Sequence, residues 1–140
     1  MPPARETVLL VDDEAWVLTT GSRMLDALGY RVLTARDGRE AVELAASHPG
    51  PIAAVVLDLG MPVMGGAEAF YELKKLHRGE LRVLLCSGYE MDETARSLLA
   101  DGAIGFLRKP FVLNELAGYL RTGAGAAQGA TPAEGGLAVQ

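Results

Sequence analysis

Short apolar runs alternate along the chain with longer stretches in which hydrophobic positions recur every three to four residues. The runs are Val8 to Val11, Arg31 to Thr34 (with Val32 and Leu33), Ile52 to Leu57 (IAAVVL), Leu81 to Cys86 (LRVLLC) and Ile104 to Leu107 (IGFL). Each is too short for a helix, rich in aliphatic residues and close to loop formers. Unbroken apolar runs of this length suit strands buried on both faces, as in a parallel sheet.

The stretches between them read as helices. Ala15 to Leu28 carries Val17, Met24, Leu25 and Leu28 and stops at Gly29, a residue suited to the turn that closes a helix. Gly21 interrupts it at a cost of roughly 1 kcal/mol relative to Ala, which close packing on a neighbour would offset. Asp37-Gly38 opens Arg39 to Ser47, whose apolar side is Ala41, Val42, Leu44 and Ala45, and Pro49-Gly50-Pro51 ends it. Gly66 to His77 repeats Phe70, Leu73 and Leu76. Met91 to Ala100 has Ala95, Leu98 and Leu99 before Asp101-Gly102, and Leu113 to Arg121 has Leu113, Leu116, Ala117 and Leu120. The order is five β-α pairs, which predicts an α/β fold with a parallel sheet and helices on both faces.

Composition sharpens this in a few places. A chain of 140 residues, 49% of them hydrophobic, supports one domain with one core. From Thr122 onward it turns to Gly and Ala with one charge, so residues 122–140 are expected to be a disordered tail or linker, and residues 1–6 a short extension. The net charge of −5 and pI near 5.0 argue against a surface that tracks nucleic-acid phosphates. Only 19 residues follow Arg121, too few for a DNA-binding domain, so no direct nucleic-acid binding is expected. The single cysteine, Cys86, allows neither an intramolecular disulfide nor a cysteine metal cluster. No apolar run approaches a membrane span, and the start lacks the features of a secretory signal. A cytoplasmic protein without membrane insertion is the expectation.

In open parallel sheets, ligands sit beyond the carboxyl ends of the strands. The first strand ends in Asp12 and Asp13, the third in Asp58, the fourth in Ser87 and the fifth in Lys109. Carboxylates, a hydroxyl and an ammonium therefore converge on one rim. Adjacent carboxylates repel and are costly to desolvate. As a cluster they suit a hard divalent cation such as Mg2+, which would in turn draw a phosphate. Asp58 is central and a credible nucleophile. Ser87 can donate a hydrogen bond to a phosphoryl oxygen, and Lys109 can neutralise its charge. Alone, the acid pair would read as a solvated turn or a helix N-cap, and Ser87 as a small strand-ending residue. Asp58 and Lys109 tip the reading toward a cation. Glu14 reads as a first-turn helix acid rather than a ligand, Trp16 as a rim residue over the pocket, and Cys86 as a buried small hydrophobe. His48 and His77 fall at helix ends, exposed or paired with the helix dipole.

Four segments, VDDE at 11–14, LDLGMPVMGG at 57–66, CSGY at 86–89 and RKPF at 108–111, occur in this order and spacing on the β-α ladder. In them the chain resembles the receiver domains of two-component response regulators, from Thr7 to Arg121. The resemblance implies a doubly wound, five-stranded, flavodoxin-like sheet of order 2-1-3-4-5 and a receiver domain over residues 7–121. Asp58 would accept a phosphoryl group from a phosphohistidine on a sensor histidine kinase or a histidine phosphotransfer protein. Asp13, Asp58 and the backbone carbonyl of Gly60 would ligate Mg2+, with Asp12 mainly through water. Lys109 would contact the acyl phosphate, Ser87 and Phe106 would form the switch, and Lys109–Pro110 would be cis. The readout surface would span roughly Met91 to Arg121 and serve a protein target, with room for a phosphorylation-dependent dimer. Such a domain is a signalling phosphoacceptor, limited to self-catalysed phosphotransfer and autodephosphorylation.

Departures from the family pattern carry information of their own. Phe106 stands where many members have Tyr, which leaves two readings, switch or core. Gly60 suggests an open approach to Asp58 and Tyr89 a shielded one, so the phosphoryl lifetime stays open. The SGY segment and the Gly/Ala-rich tail look most like receivers attached to sensor histidine kinases. Two competing readings are a pseudo-receiver that only binds proteins and a flavin or nucleotide binder. The second would need a Gly- or Ser/Thr-rich phosphate loop where this chain has acids.

Overall fold

The computed structural model describes residues 5–61, 64–76 and 81–122. Its elements run β1 (Thr7–Val11), α1 (Ala15–Ala27), β2 (Arg31–Ala35), α2 (Gly38–Ser47), β3 (Ala54–Asp58), α3 (Gly66–Leu76), β4 (Arg82–Ser87), α4 (Glu93–Ala100), β5 (Gly105–Arg108) and α5 (Leu113–Thr122). The strands form one parallel sheet in the order β2-β1-β3-β4-β5, as the resemblance implies. His77 and most of the predicted tail lie outside the described residues.

Successive strand residues point to opposite faces, so each strand supplies two cores. Leu9, Val11, Val55, Leu57, Val83 and Leu85 face α2, α3 and α4, where Phe70, Leu73 and Leu98 are buried. Val8, Leu10, Val56, Leu84 and Leu107 face α1 and α5, where Val17, Leu25, Leu116 and Leu120 are buried. The same alternation assigns the residues at the strand ends. Asp12, Asp58 and Cys86 continue the series facing α1 and α5, whereas Ser87 continues the series facing α4.

Local signals explain the helix ends. Leu28 closes α1, and Gly29 follows at φ +97°; the N–H groups of Gly29 and Tyr30 donate to the carbonyls of Asp26 and Leu25 at 2.9 and 3.0 Å. Gly102 closes α4 in the same way at φ +112°. This is the glycine-dependent motif in which a left-handed residue satisfies the last carbonyls of a helix. Asp37 caps α2 by accepting from Glu40 N at 2.9 Å, and Asp92 caps α4 by accepting from Ala95 N at 2.9 Å. The Asp92 cap moves the start of α4 from Met91 to Glu93. Gly21 sits in α1 where a Cβ would meet Leu10 Cδ2 at 2.8 Å, the close packing its position in the sequence called for. At the far end of α4, the Tyr71 hydroxyl donates to Asp101 at 2.5 Å and ties that end to α3. Among the described residues, no helix is long and apolar enough to cross a membrane.

Candidate phosphoacceptor site

The alternation of strand side chains brings Asp12, Asp58 and Cys86 together at the carboxyl end of the sheet. A carboxylate oxygen of each acid and the Cys86 sulfur all lie within 4.8 Å of one another. Asp12 is fully buried and Asp58 is 3% exposed. Lys109, one residue beyond β5, reaches into the cluster. Its Nζ lies 3.0 Å from Asp12 Oδ2, 3.0 Å from Glu14 Oε1 and 3.5 Å from Asp58 Oδ1. The peptide bond that follows, Lys109–Pro110, is cis, as the resemblance implies.

Electrostatics follow from this crowding. Burial pushes the Asp12 carboxyl above its ordinary range, against the hydrogen bonds from Glu14 N and Lys109. Burial also raises Asp58, and the neighbouring Asp12 charge raises it further. Burial opposes the charge of Lys109, but hydrogen bonds to Glu14 and Asp12 outweigh it and hold the ammonium firmly protonated. Burial keeps the Cys86 thiol protonated, with the two acids adding to the effect. Two buried carboxylates sharing one cation form an under-neutralised set of oxygen donors, and that chemistry fits a hard divalent ion.

The remaining predicted residues divide between those near this cluster and those apart from it. Asp13 is exposed and stands outside the group formed by Asp12 and Asp58. Gly60 lies against the acid: its N–H donates to Asp58 Oδ1 at 3.3 Å, and an added Cβ would sit 4.0 Å from that oxygen, so this side is open. Ser87 ends β4, and its Oγ accepts from Tyr89 N at 3.0 Å. Phe106 pairs in register with Leu85, two residues before Ser87, and is half-buried against the α2–α4 core. Ser87 and Phe106 thus share the sheet face that carries α4. Tyr89, which its bulk suggested as a shield, is 82% exposed.

Glu14 departs from its expected place. It is not in the first turn of α1 but at the N-cap, with extended backbone (φ −94°, ψ 120°) and no side-chain cap bond. Its carboxylate instead pairs with Lys109 and accepts from the Trp16 indole N–H at 3.4 Å, and Lys109 holds it below the usual carboxylate range. Trp16 is exposed at the rim, as its position predicted. With Met24, Phe111 and the Lys109 stem it lines an apolar groove of about 120 Å³ beside the acids.

A doubly wound parallel sheet with paired acids and a lysine at its carboxyl rim defines a narrow class of domain. Residues 8–121 match the response regulator receiver domain, and the chain belongs to that family. It is 44% identical over 111 residues to the sensor kinase CckA of Brucella abortus, covering 79% of this chain and 12% of that protein. It therefore spans about an eighth of this relative's length. Among solved structures, the receiver domain of sensor histidine kinase PA1611 from Pseudomonas aeruginosa, with magnesium in its active-site cleft, superposes with a TM-score of 0.76 at 29% identity. That match covers 87% of this chain and 99% of the other. A response regulator from Burkholderia pseudomallei, solved with a phosphorylated aspartic acid, calcium and citrate, gives 0.75 at 28% identity, covering 88% and 71%. The chain is thus a receiver domain of the two-component type, a signalling fold.

Proposed function

We propose that this domain is phosphorylated on Asp58 by a phosphohistidine of a sensor histidine kinase or histidine phosphotransfer protein, in a Mg2+-dependent reaction. One observation carries the reading: Asp58, nearly buried at a strand end, shares a single ammonium with a second buried acid. In the reaction an Asp58 carboxylate oxygen forms a bond to phosphorus as the phosphorus–nitrogen bond to the imidazole breaks. The electron pair leaves with the imidazole, and an acyl phosphate remains on Asp58. Asp13, Asp58 and the Gly60 carbonyl would hold Mg2+, with Asp12 acting through water; the ion supplies charge neutralisation on the phosphoryl oxygens. Lys109 contributes a fixed cation to the same oxygens, and Ser87 a hydroxyl donor. Ser87, Phe106 and α4 share one face of the sheet, which supports a readout through α4, β5 and α5 toward a protein target.

Incubation with Mg2+ and acetyl phosphate followed by intact-mass measurement tests the assignment. One phosphoryl adduct is expected on the wild-type chain and none on Asp58→Asn. An adduct that survives in Asp58→Asn would place the phosphoryl group on another residue and refute the reading.

A further inference from the structure

The phosphotransfer proposed above leaves Glu14 without a task, yet Glu14 is one of the two closest partners of the site's ammonium. Glu14 Oε1 is as near to Lys109 Nζ as Asp12 Oδ2 is, 3.0 Å in each case, and both are closer than Asp58 Oδ1 at 3.5 Å. The two carboxylates differ in what losing the lysine entails. Asp12 is fully buried, so its charge left unpaired would be strongly unfavourable. The Glu14 side chain is 47% exposed, and water can replace the ammonium there with little loss. An ammonium has three donors, and a phosphoryl group on Asp58 brings new anionic oxygens within its reach. The contact that yields is therefore the one to Glu14. The Trp16 indole, which donates to Glu14 at 3.4 Å, registers the change.

We propose that Glu14 is a positioning residue that holds Lys109 at the rim, and that an anion arriving at Asp58 exchanges the Glu14–Lys109 contact for a contact of Lys109 with the anion. This inference rests on the reading of Asp58 as the phosphoacceptor. It makes Glu14 a competitor of the phosphoryl group for Lys109, and Trp16, the chain's one tryptophan, a built-in reporter of the exchange.

Beryllofluoride, a non-covalent mimic of the phosphoryl group, tests it in the full chain with Mg2+ present. Binding is measured by calorimetry, and Trp16 fluorescence is followed in parallel. Glu14→Gln keeps the shape and removes the charge. Glu14→Asp keeps the charge but is one methylene shorter and withdraws from Lys109. Both are expected to bind roughly two- to fivefold more tightly than wild type, the range a partly exposed ion pair supports. Both should also lose most of the Trp16 fluorescence step while still binding. Unchanged affinity with the fluorescence step retained overturns the proposal. So does tightening in Glu14→Gln alone, which would assign the effect to net charge rather than to contact. Wild-type protein that binds no beryllofluoride at all would overturn the reading of Asp58 itself, and this inference with it.

Discussion

Around Asp12, Asp58 and Lys109 the rim of the sheet is closed and charged, whereas from Ser87 to Glu90 it is open. On the closed side the acids are buried, and Lys109, its side chain 9% exposed, spans three carboxylates. On the open side Tyr89 projects into solvent, a Cβ at Gly88 would meet nothing within 4 Å, and α4 does not begin until Asp92 caps it. The contrast teaches a division of work. Charge balance is preset where the groups are packed and cannot relax cheaply. Freedom to move is concentrated where few buried contacts oppose it. The Tyr71–Asp101 bond reinforces this, since it ties the C-terminal end of α4 to α3 while the end nearer the site stays loosely covered.

The largest expected effect comes from removing the cation of the closed half. Lys109→Met leaves two buried carboxylates uncompensated, and urea unfolding at neutral pH should report a loss of about 3–5 kcal/mol. The sign of its pH dependence is set by the acids. Burial raises the folded-state pKa values of Asp12 and Asp58 above the ordinary carboxylate value. Their contribution to stability is therefore present below that value and lost as pH rises through the raised range. The deficit of Lys109→Met should accordingly shrink as the solution is acidified through that range, because a protonated acid no longer needs the lysine. A deficit that stays constant with pH would mean that Lys109 acts through packing and not through charge.

A smaller effect tests whether backbone packing also keeps the closed half closed. Gly66 begins α3 directly against the end of β3: an added Cβ would lie 2.6 Å from Asp58 O and 2.6 Å from Leu59 Cα. Both obstacles are main chain, so they cannot swing aside. Gly66→Ala should destabilise by about 1–3 kcal/mol, as overpacking does. Because the displaced backbone is that of Asp58, the yield of phosphoryl adduct should fall with it. Normal stability and normal yield would show that the strand end can shift without consequence.

Much of this architecture can be read from residue order. Unbroken aliphatic runs mark buried parallel strands, Gly29 and Gly102 mark helix ends, and the strand termini point to the rim where Asp12, Asp58 and Lys109 meet. Counting in twos from Val8 and Leu10 also puts Asp12 on the inner face beside Asp58. The role of Glu14 was not within reach. Its partner Lys109 lies 95 positions away, and acids in that place usually serve the helix that follows. Only the folded chain shows that its backbone stops short of the helix and its side chain turns to the lysine.

The smallest effect belongs to the open half and is the one most able to break the contrast. Tyr89 and Trp16 are both large, exposed aromatic residues on the rim, but only Trp16 donates a side-chain hydrogen bond into the charged cluster. Tyr89 is tied locally through its backbone N–H to Ser87 Oγ, a bond that truncation of the side chain to alanine leaves in place. Tyr89→Ala should therefore alter stability by less than about 0.5 kcal/mol, the usual range for a surface position without special contacts. A thermal melt that fell by several degrees would show that the ring closes over the site in solution, and the rim would then be packed on both sides.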